Sequence, residues 1–126
     1  MTQQRPTRYR ISLGKWGEEY ARKYLETKGL HFISKNVRSP HGEIDLIMKD
    51  GETIVFIEVK TRASTTNGYP EEAITESKIN HLDNCINWYL EKNNVIGDNW
   101  RVDVVSIIGQ PEAKKLPVID WWQNEF

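Results

Sequence analysis

A short turn between two β-rich segments constrains the fold of this chain more than any other feature. Asp50 and Gly51 lie between these segments, and an Asp-Gly pair tolerates the positive φ that a two-residue hairpin turn requires. A loop formed by these two residues predicts that Lys49 faces Glu52 across the hairpin. Because side chains alternate between the two faces of a strand, this register places four charged side chains on one face: Glu43, Asp45, Glu58 and Lys60.

The carboxylates of Asp45 and Glu58 are the centre of this charged group. In the predicted register they are diagonal neighbours, about 7–8 Å apart at the backbone. A divalent cation with oxygen ligands at about 2.0–2.6 Å could bridge them. Such a Mg²⁺ or Mn²⁺ ion would activate a water, which Lys60 would position against a phosphate. Spacing alone leaves a second interpretation open, in which Lys60 and Arg62 form ordinary surface ion pairs with the acids.

Length and composition favour one globular domain over residues 1–126. A chain of 126 residues with 38% hydrophobic and 28% charged residues can bury one core but not two independent cores. No apolar run approaches the roughly 20 residues of a membrane span, and the polar start lacks the apolar core of a signal peptide. We therefore predict a cytoplasmic protein without a membrane partner. The single cysteine, Cys85, excludes a disulfide framework.

The charge of the chain gives an ambiguous indication about nucleic acid. A net charge of −1 and a pI near 6.3 are not typical of a nucleic-acid-binding protein. The first residues are nevertheless basic, and a flexible arm over residues 1–10 would bring Arg8 and Arg10 to phosphates. A solvated leader explains the same residues equally well. Lys78 is either another phosphate contact or a solvated surface lysine.

Apolar spacing predicts two helical segments. The first covers residues 11–29, with Ser12 as its cap and Gly29 at its end. The second covers residues 70–94, with Thr75 as an internal cap.

The remaining segments predict the strands of a central sheet. They are residues 30–37, the two arms of the hairpin, residues 100–108, and a short edge strand near Val118 in a C-terminal extension over residues 110–126. The second arm of the hairpin is apolar on both faces, which indicates a central strand. The order helix, three strands, helix, strand predicts an α/β domain with a mixed sheet flanked by helices, in which residues 100–108 pair in parallel with the second hairpin arm.

Short motifs between Gly14 and Ile108 resemble those of the YraN family of small bacterial proteins. The motifs are Gly14-x-x-Gly17-Glu18-x-x-Ala21, Asn36-x-Arg38, Gly42-Glu43-Ile44-Asp45-Leu46-Ile47, Phe56-Ile57-Glu58-Val59-Lys60-x-Arg62, Glu72-Ala73-Ile74-x-x-x-Lys78 and Arg101-x-Asp103-Val104-Val105. Members of that family are described as predicted endonucleases distantly similar to archaeal Holliday junction resolvases, in the PD-(D/E)XK nuclease superfamily. The resemblance implies a restriction-endonuclease-like domain.

The resemblance also implies roles for individual residues. Asp45 and Glu58 correspond to the acidic metal ligands, the carbonyl of Val59 to a further ligand, and Lys60 to the signature lysine. Glu18 corresponds to the acid that resolvase-like members carry on their first helix. Ile44 stands where the superfamily has a proline, a substitution that the YraN family shares. The nucleic-acid-binding candidates are Arg8, Arg10, Arg38, Arg62 and Lys78.

These observations predict a Mg²⁺- or Mn²⁺-dependent endonuclease that hydrolyses DNA phosphodiesters, with branched or junction DNA as its substrate. A two-fold junction would call for a homodimer. Two alternatives stay open, because one fold can serve many functions. One is a noncatalytic nucleic-acid-binding module, and the other is a protein-interaction domain in which the charged cluster is structural.

Overall fold

The structure is a computed structural model that describes residues 5–97 and 99–125, with side chains described from Ser12 onward. Residues 1–4 of the predicted basic arm, and the side chains of Arg8 and Arg10, lie outside this description. The elements are α1 (Arg5–Thr27), β1 (His31–Ser39), β2 (Gly42–Asp50), β3 (Thr53–Arg62), a 3-10 helix (Pro70–Ala73), α2 (Glu76–Lys92), β4 (Trp100–Ile108) and β5 (Val118–Trp122).

The five strands form one mixed sheet in the order β1-β2-β3-β4-β5. β3 lies at its centre, antiparallel to β2 and parallel to β4. β5 pairs antiparallel with β4 at one edge of the sheet, which confirms the predicted short strand near Val118. The predicted α/β class with a central mixed sheet is therefore confirmed, and the architecture is consistent with a restriction-endonuclease-like domain.

A helix covers each face of the sheet. Ala21 and Leu25 of α1 pack with side chains of β2, β3 and β4 on one face, which we call the α1 face. Leu82, Cys85 and Ile86 of α2 pack on the other, the α2 face. In the described part of the chain, neither helix has the length and apolar character needed to cross a membrane.

The predicted register of the hairpin between β2 and β3 is wrong by two residues. Asp50 pairs with Thr53, so Gly51 and Glu52 form the loop, and Gly51 has the positive φ of 62° at its first position. Asp50 stays in the strand because Arg101 Nη1 donates a hydrogen bond of 3.0 Å to its Oδ2. A shift by an even number changes no face, but it brings Asp45 level with Glu58 instead of diagonal to it.

The helix boundaries differ in part from the predictions. α1 begins at Arg5, so Ser12 lies inside the helix and is not its cap. The apolar stripe starts only near Leu13, and the more polar turns before it gave no helical spacing. Gly29 ends α1 as predicted, with a φ of 97°. Thr75 caps α2 by accepting a 3.3 Å hydrogen bond from Lys78 N, and the residues before it form the separate 3-10 helix.

A buried carboxylate fixes the tryptophan-rich C-terminal segment. Asp103 of β4 is fully buried and accepts hydrogen bonds from Arg101 Nε at 3.1 Å, Trp121 Nε1 at 2.9 Å and Asn124 N at 2.8 Å. A buried charge is costly unless it is paired and hydrogen-bonded, and these three donors satisfy it. Asp103 therefore holds β5 against the sheet.

α1 crosses β3 at a glycine that leaves no room for a side chain. A Cβ atom at Gly17 would collide with the side chain of Thr61, whereas a Cβ at Gly14, one turn earlier, would meet nothing within 4 Å. Gly17 therefore sets how closely α1 approaches the end of β3, where the charged residues lie.

We expect opposite effects from alanine at these two glycines. Gly17→Ala should lower the free energy of unfolding by about 1–3 kcal/mol, because either α1 or Thr61 must move. Gly14→Ala should raise it by about 0.5–1 kcal/mol, since alanine favours the helix and fits. Urea unfolding at one pH measures both. Equal effects of the two substitutions would contradict the close approach of α1 to β3.

Candidate active site

Asp45 lies at a point in β2 where the regular alternation of side chains between the two faces of the sheet is interrupted. Leu46 packs on the α1 face, but Ile44, two residues away, packs on the α2 face, as does its β1 partner Val37. A regular strand would keep residues two apart on one face. The change of face coincides with Asn36 of β1, which has a φ of 48°.

β2 stops pairing with β3 at the same point. The ladder between the two strands ends at the pair Leu46 and Ile57, although β3 continues to Arg62 beside β4. The side chain of Asp45 takes over from the backbone ladder, because its Oδ2 accepts a 2.9 Å hydrogen bond from Val59 N. Asp45 is thereby held against β3 at the place where the two strands separate.

Glu58 and Lys60 extend from β3 on the α2 face. They alternate with Ile57 and Val59, which pack on the α1 face. Lys60 Nζ lies 3.2 Å from Glu58 Oε2, and the Glu58 side chain is only 17% exposed. The structure therefore brings together Asp45, Glu58 and Lys60, the three central residues of the predicted cluster.

Ionisation of the Asp45 carboxyl group is strongly disfavoured. Burial, and then the negative charge of Glu58, raise its pKa from 3.8 to about 8, although the Val59 N–H and the charge of Lys60 act in the opposite direction. Burial and a nearby like charge both disfavour the ionised form of an acid. Without a cation, Asp45 therefore carries a proton at neutral pH.

Glu18 approaches the same place from α1. It is half-buried, and its Oε1 accepts a 2.9 Å hydrogen bond from Asn36 Nδ2. Burial raises its pKa, with smaller contributions of the same sign from Glu43 and Glu58, while Asn36 and Lys15 favour its ionised form. Glu18 is thus electrostatically coupled to the carboxylate pair, as an inward-facing acid would be.

Asn36 is a site residue to which the sequence alone gave no role. It occupies a left-handed conformation that asparagine tolerates better than most residues, and its amide fixes the Glu18 carboxylate. The motif Asn36-x-Arg38 marked its position, but no spacing rule connected it to Glu18.

A group of cations lies beside the carboxylates. Lys78, in the first turn of α2, has a lowered pKa, chiefly because of the positive charge of Lys60 and to a smaller extent because of burial and Arg62. Lys60, Arg62 and Lys78 therefore lie within electrostatic reach of one another at the end of β3. We call these three residues the cation cluster.

Two predicted members lie outside this centre. Glu43 was predicted on the same face as Glu58, which is wrong, because the change of face at Asp45 turns it to the α1 side, where its charge raises the pKa of Glu18. It is exposed and pairs instead with Arg38, whose Nε lies 3.7 Å from Glu43 Oε2. Arg38 is 88% exposed, so its side chain is accessible on the surface at the C-terminal end of β1.

The candidate metal ligands around Asp45 are all oxygen atoms, which Mg²⁺ and Mn²⁺ prefer. Among the described residues, no three His, Cys, Asp or Glu side chains converge into a group that could hold a metal ion. The N–H and C=O of one strand residue point to the same side, so the Val59 carbonyl lies on the β2 side of β3, as does the N–H that Asp45 accepts. Two carboxylates and a carbonyl suit Mg²⁺, which keeps several of its waters in proteins.

The protein is an α/β domain, consistent with the restriction-endonuclease-like type, with a carboxylate pair near the end of its central strand. Residues 17–107 match the family UPF0102, described as an uncharacterised protein family, and the chain belongs to that family. This confirms the resemblance to YraN proteins.

Similar proteins span nearly the whole chain. A UPF0102 protein of Colwellia psychrerythraea is 44% identical over 115 residues, which cover 90% of this chain and 87% of its own. One from Desulfitobacterium hafniense strain Y51 is 40% identical over 116 residues, 90% of this chain and 94% of its own. One from Beutenbergia cavernae is 40% identical over 101 residues, covering 80% and 86% respectively.

The raised pKa of Asp45 predicts how stability depends on pH when no metal is present. From about pH 4 to about pH 8 the folded protein keeps a proton that the unfolded chain has lost, so the free energy of unfolding should fall across this window and then level off. Asp45→Asn removes this titration but keeps an oxygen for Val59 N–H. In EDTA it should match the wild type near pH 4 and exceed its stability on the order of 1–4 kcal/mol at pH 8.

Urea unfolding at a series of pH values tests this expectation. Asp120→Asn, at an exposed residue of β5, is the matched control and should follow the wild-type curve. Parallel curves for Asp45→Asn and the wild type would contradict a buried, protonated Asp45.

Proposed function

We propose that this protein is a Mg²⁺- or Mn²⁺-dependent endonuclease that hydrolyses phosphodiester bonds in DNA. The observation that carries the proposal is the placement of two mutually repelling carboxylates, Asp45 and Glu58, directly beside a cluster of cations. A phosphodiesterase needs both parts: oxygen ligands for a hard cation and positive side chains for the phosphate.

The carboxylate pair supplies the first part. The negative charge of Glu58 and burial work against the ionised form of Asp45, and a divalent cation between these groups would relieve that repulsion. Asp45, Glu58 and the Val59 carbonyl would hold it, with waters completing its coordination. When bound, the ion would lower the pKa of a water and offset the charge that develops on the phosphate.

The cation cluster supplies the second part. Lys60, Arg62 and Lys78 repel one another, and an anionic phosphodiester among them would reduce that repulsion. This local charge explains how a chain with a net charge of −1 can bind a nucleic acid. Arg38, Arg8 and Arg10 are further phosphate-binding candidates in this proposal.

The chain's own residues would orient the reaction. Lys60, fixed by its 3.2 Å ion pair with Glu58, directs the attacking water toward phosphorus. The water oxygen forms a bond to phosphorus and gives up a proton to solvent, while the bond between phosphorus and the leaving sugar oxygen breaks and that oxygen takes up a proton from solvent. Glu18, held by Asn36, adds negative charge on the α1 side and thereby strengthens cation binding.

The resemblance to resolvase-like enzymes guides the choice of substrate and favours branched or junction DNA. A four-way junction is two-fold symmetric, so a homodimer with one site on each side would match it.

A cleavage assay on matched branched and linear duplexes tests the proposal. The wild type should cut in Mg²⁺ or Mn²⁺ and not in EDTA. Asp45→Asn and Glu58→Gln should reduce the rate about 100-fold or more, and Lys60→Ala about 10²–10⁴-fold. Asp120→Asn, which changes an exposed carboxylate away from the pair, should cut like the wild type.

The alternatives give different results in the same experiment. Binding of DNA without cutting in any metal would contradict the nuclease and support a noncatalytic binding module. If the protein neither binds nor cuts DNA, a protein-interaction domain is the alternative that remains. Cutting that survives both Asp45→Asn and Glu58→Gln would contradict the proposed site.

A further inference from the structure

An exposed leucine projects from the loop between β4 and β5. Leu116 is 86% exposed, and Val118, two residues later at the start of β5, is 58% exposed. Exposed apolar side chains are common singly, but here Leu116 lies within one loop, residues 109–117, and Val118 directly follows it. The loop also carries Glu112, Lys114 and Lys115. We call this segment the 109–117 loop.

The base of the 109–117 loop is closed by close contacts. Gly109 N donates a 2.8 Å hydrogen bond to Arg62 O. Gly109 has a φ of 156°, and a Cβ there would meet Pro117 at 3.0 Å. Ala113 N also donates to Gln110 O at 3.2 Å. These contacts hold the two ends of the loop close together, so Leu116 projects from a loop whose ends are fixed.

The register of the sheet places this loop at the same end as the candidate active site. Arg62 of the cation cluster pairs with Ile108, and Ile108 pairs with Val118. Val118 therefore lies two strands across from Arg62 on the same face. Strand spacings give a separation of about 16 Å between Glu58 and Val118, which is the length of about five base-pair steps.

A concave surface lies between the loop and the residues that follow β3. A cavity of about 430 Å³ lies there, and its lining includes Ser64, Thr65, Lys114, Lys115 and Leu116. Lysines and hydroxyls are typical phosphate-contacting groups. The cavity therefore offers phosphate contacts beside Gly109, which is hydrogen-bonded to the backbone of Arg62.

We propose that Leu116 is an apolar wedge that unstacks a base step a few base pairs from the cut, while Lys114 and Lys115 hold the adjoining phosphates. Proteins that kink DNA insert apolar side chains between base steps and cover the cost of unstacking with added contacts. The inference rests on the proposed function and names its substrate class. That class is DNA with an easily unstacked step, such as a branch point.

Binding measured in EDTA tests the wedge without any cleavage. The probe is a branched duplex with 2-aminopurine at the branch point, compared with a perfect duplex of the same sequence. Wild-type protein should increase the fluorescence of the branched probe, because 2-aminopurine brightens when it is unstacked. Leu116→Ser should remove this increase and lower the preference for branched over perfect duplex about tenfold.

Matched controls come from the opposite end of the sheet. Ile96, which is 94% exposed after the end of α2, is changed to serine and should leave the fluorescence and the preference unchanged. Lys114→Ala with Lys115→Ala should reduce the slope of log affinity against log salt by about 1.8. Lys28→Ala with Lys92→Ala removes the same charge from residues that stack on Tyr24 and Trp88, and should leave the slope unchanged.

The outcomes separate this inference from the proposed function. Unstacking that depends on Leu116 supports the wedge, even where the protein cuts no DNA. Cleavage with no fluorescence change, or with equal changes for Leu116→Ser and the wild type, overturns the wedge and leaves the nuclease intact. Failure of the wild type to bind either duplex in EDTA overturns the wedge, and the cleavage assay in Mg²⁺ or Mn²⁺ decides separately on the nuclease. Equal loss from Leu116→Ser and Ile96→Ser also overturns the wedge, because the effect would not be local.

Discussion

Two carboxyl groups, those of Asp45 and Glu58, repel each other at the point where β2 leaves β3. The proposed chemistry of the site depends on this repulsion. An ordinary ladder would have continued past Leu46 and placed hydrogen-bonded backbone there. Instead the Asp45 side chain accepts the Val59 N–H, and burial together with Glu58 raises its pKa to about 8. A domain that keeps these two acids close together and partly buried gives up stability at neutral pH. A bound cation would recover it, which is why a destabilising feature points to function.

The rest of the fold supports this position from two directions. At the site end, Gly17 lets α1 approach β3 closely, and Asn36 turns β1 and holds Glu18. At the other end, Arg101 pairs with both Asp50 and Asp103, which fixes the hairpin turn and the tryptophan-rich tail. Ion pairs therefore lie at both ends of the sheet, since Glu58 also pairs with Lys60 at the site end.

Much of the site was predictable from the sequence, for reasons that individual residues make clear. Alternation along the hairpin brought Asp45 and Glu58 together even though the predicted turn was wrong, because an error of two residues preserves the face. Glu43 was misplaced because alternation fails at Asp45, and no local pattern announces that break. The role of Asn36 also escaped prediction, since it depends on a tertiary contact with Glu18. The start of α1 escaped prediction because its first turns show no apolar spacing. The parallel pairing of β3 and β4, and the cap at Thr75, followed from element order and local chemistry.

Calorimetric titration with Mn²⁺ in two buffers of different ionisation enthalpy measures directly whether cation binding releases the proton of Asp45. If a cation binds between Asp45 and Glu58, it must displace the proton that Asp45 holds. The account predicts release of about one proton per ion at pH 7, falling toward none above pH 9, and loss of both binding and release in Asp45→Asn. Binding that releases no proton at pH 7, or that Asp45→Asn leaves unchanged, would contradict it.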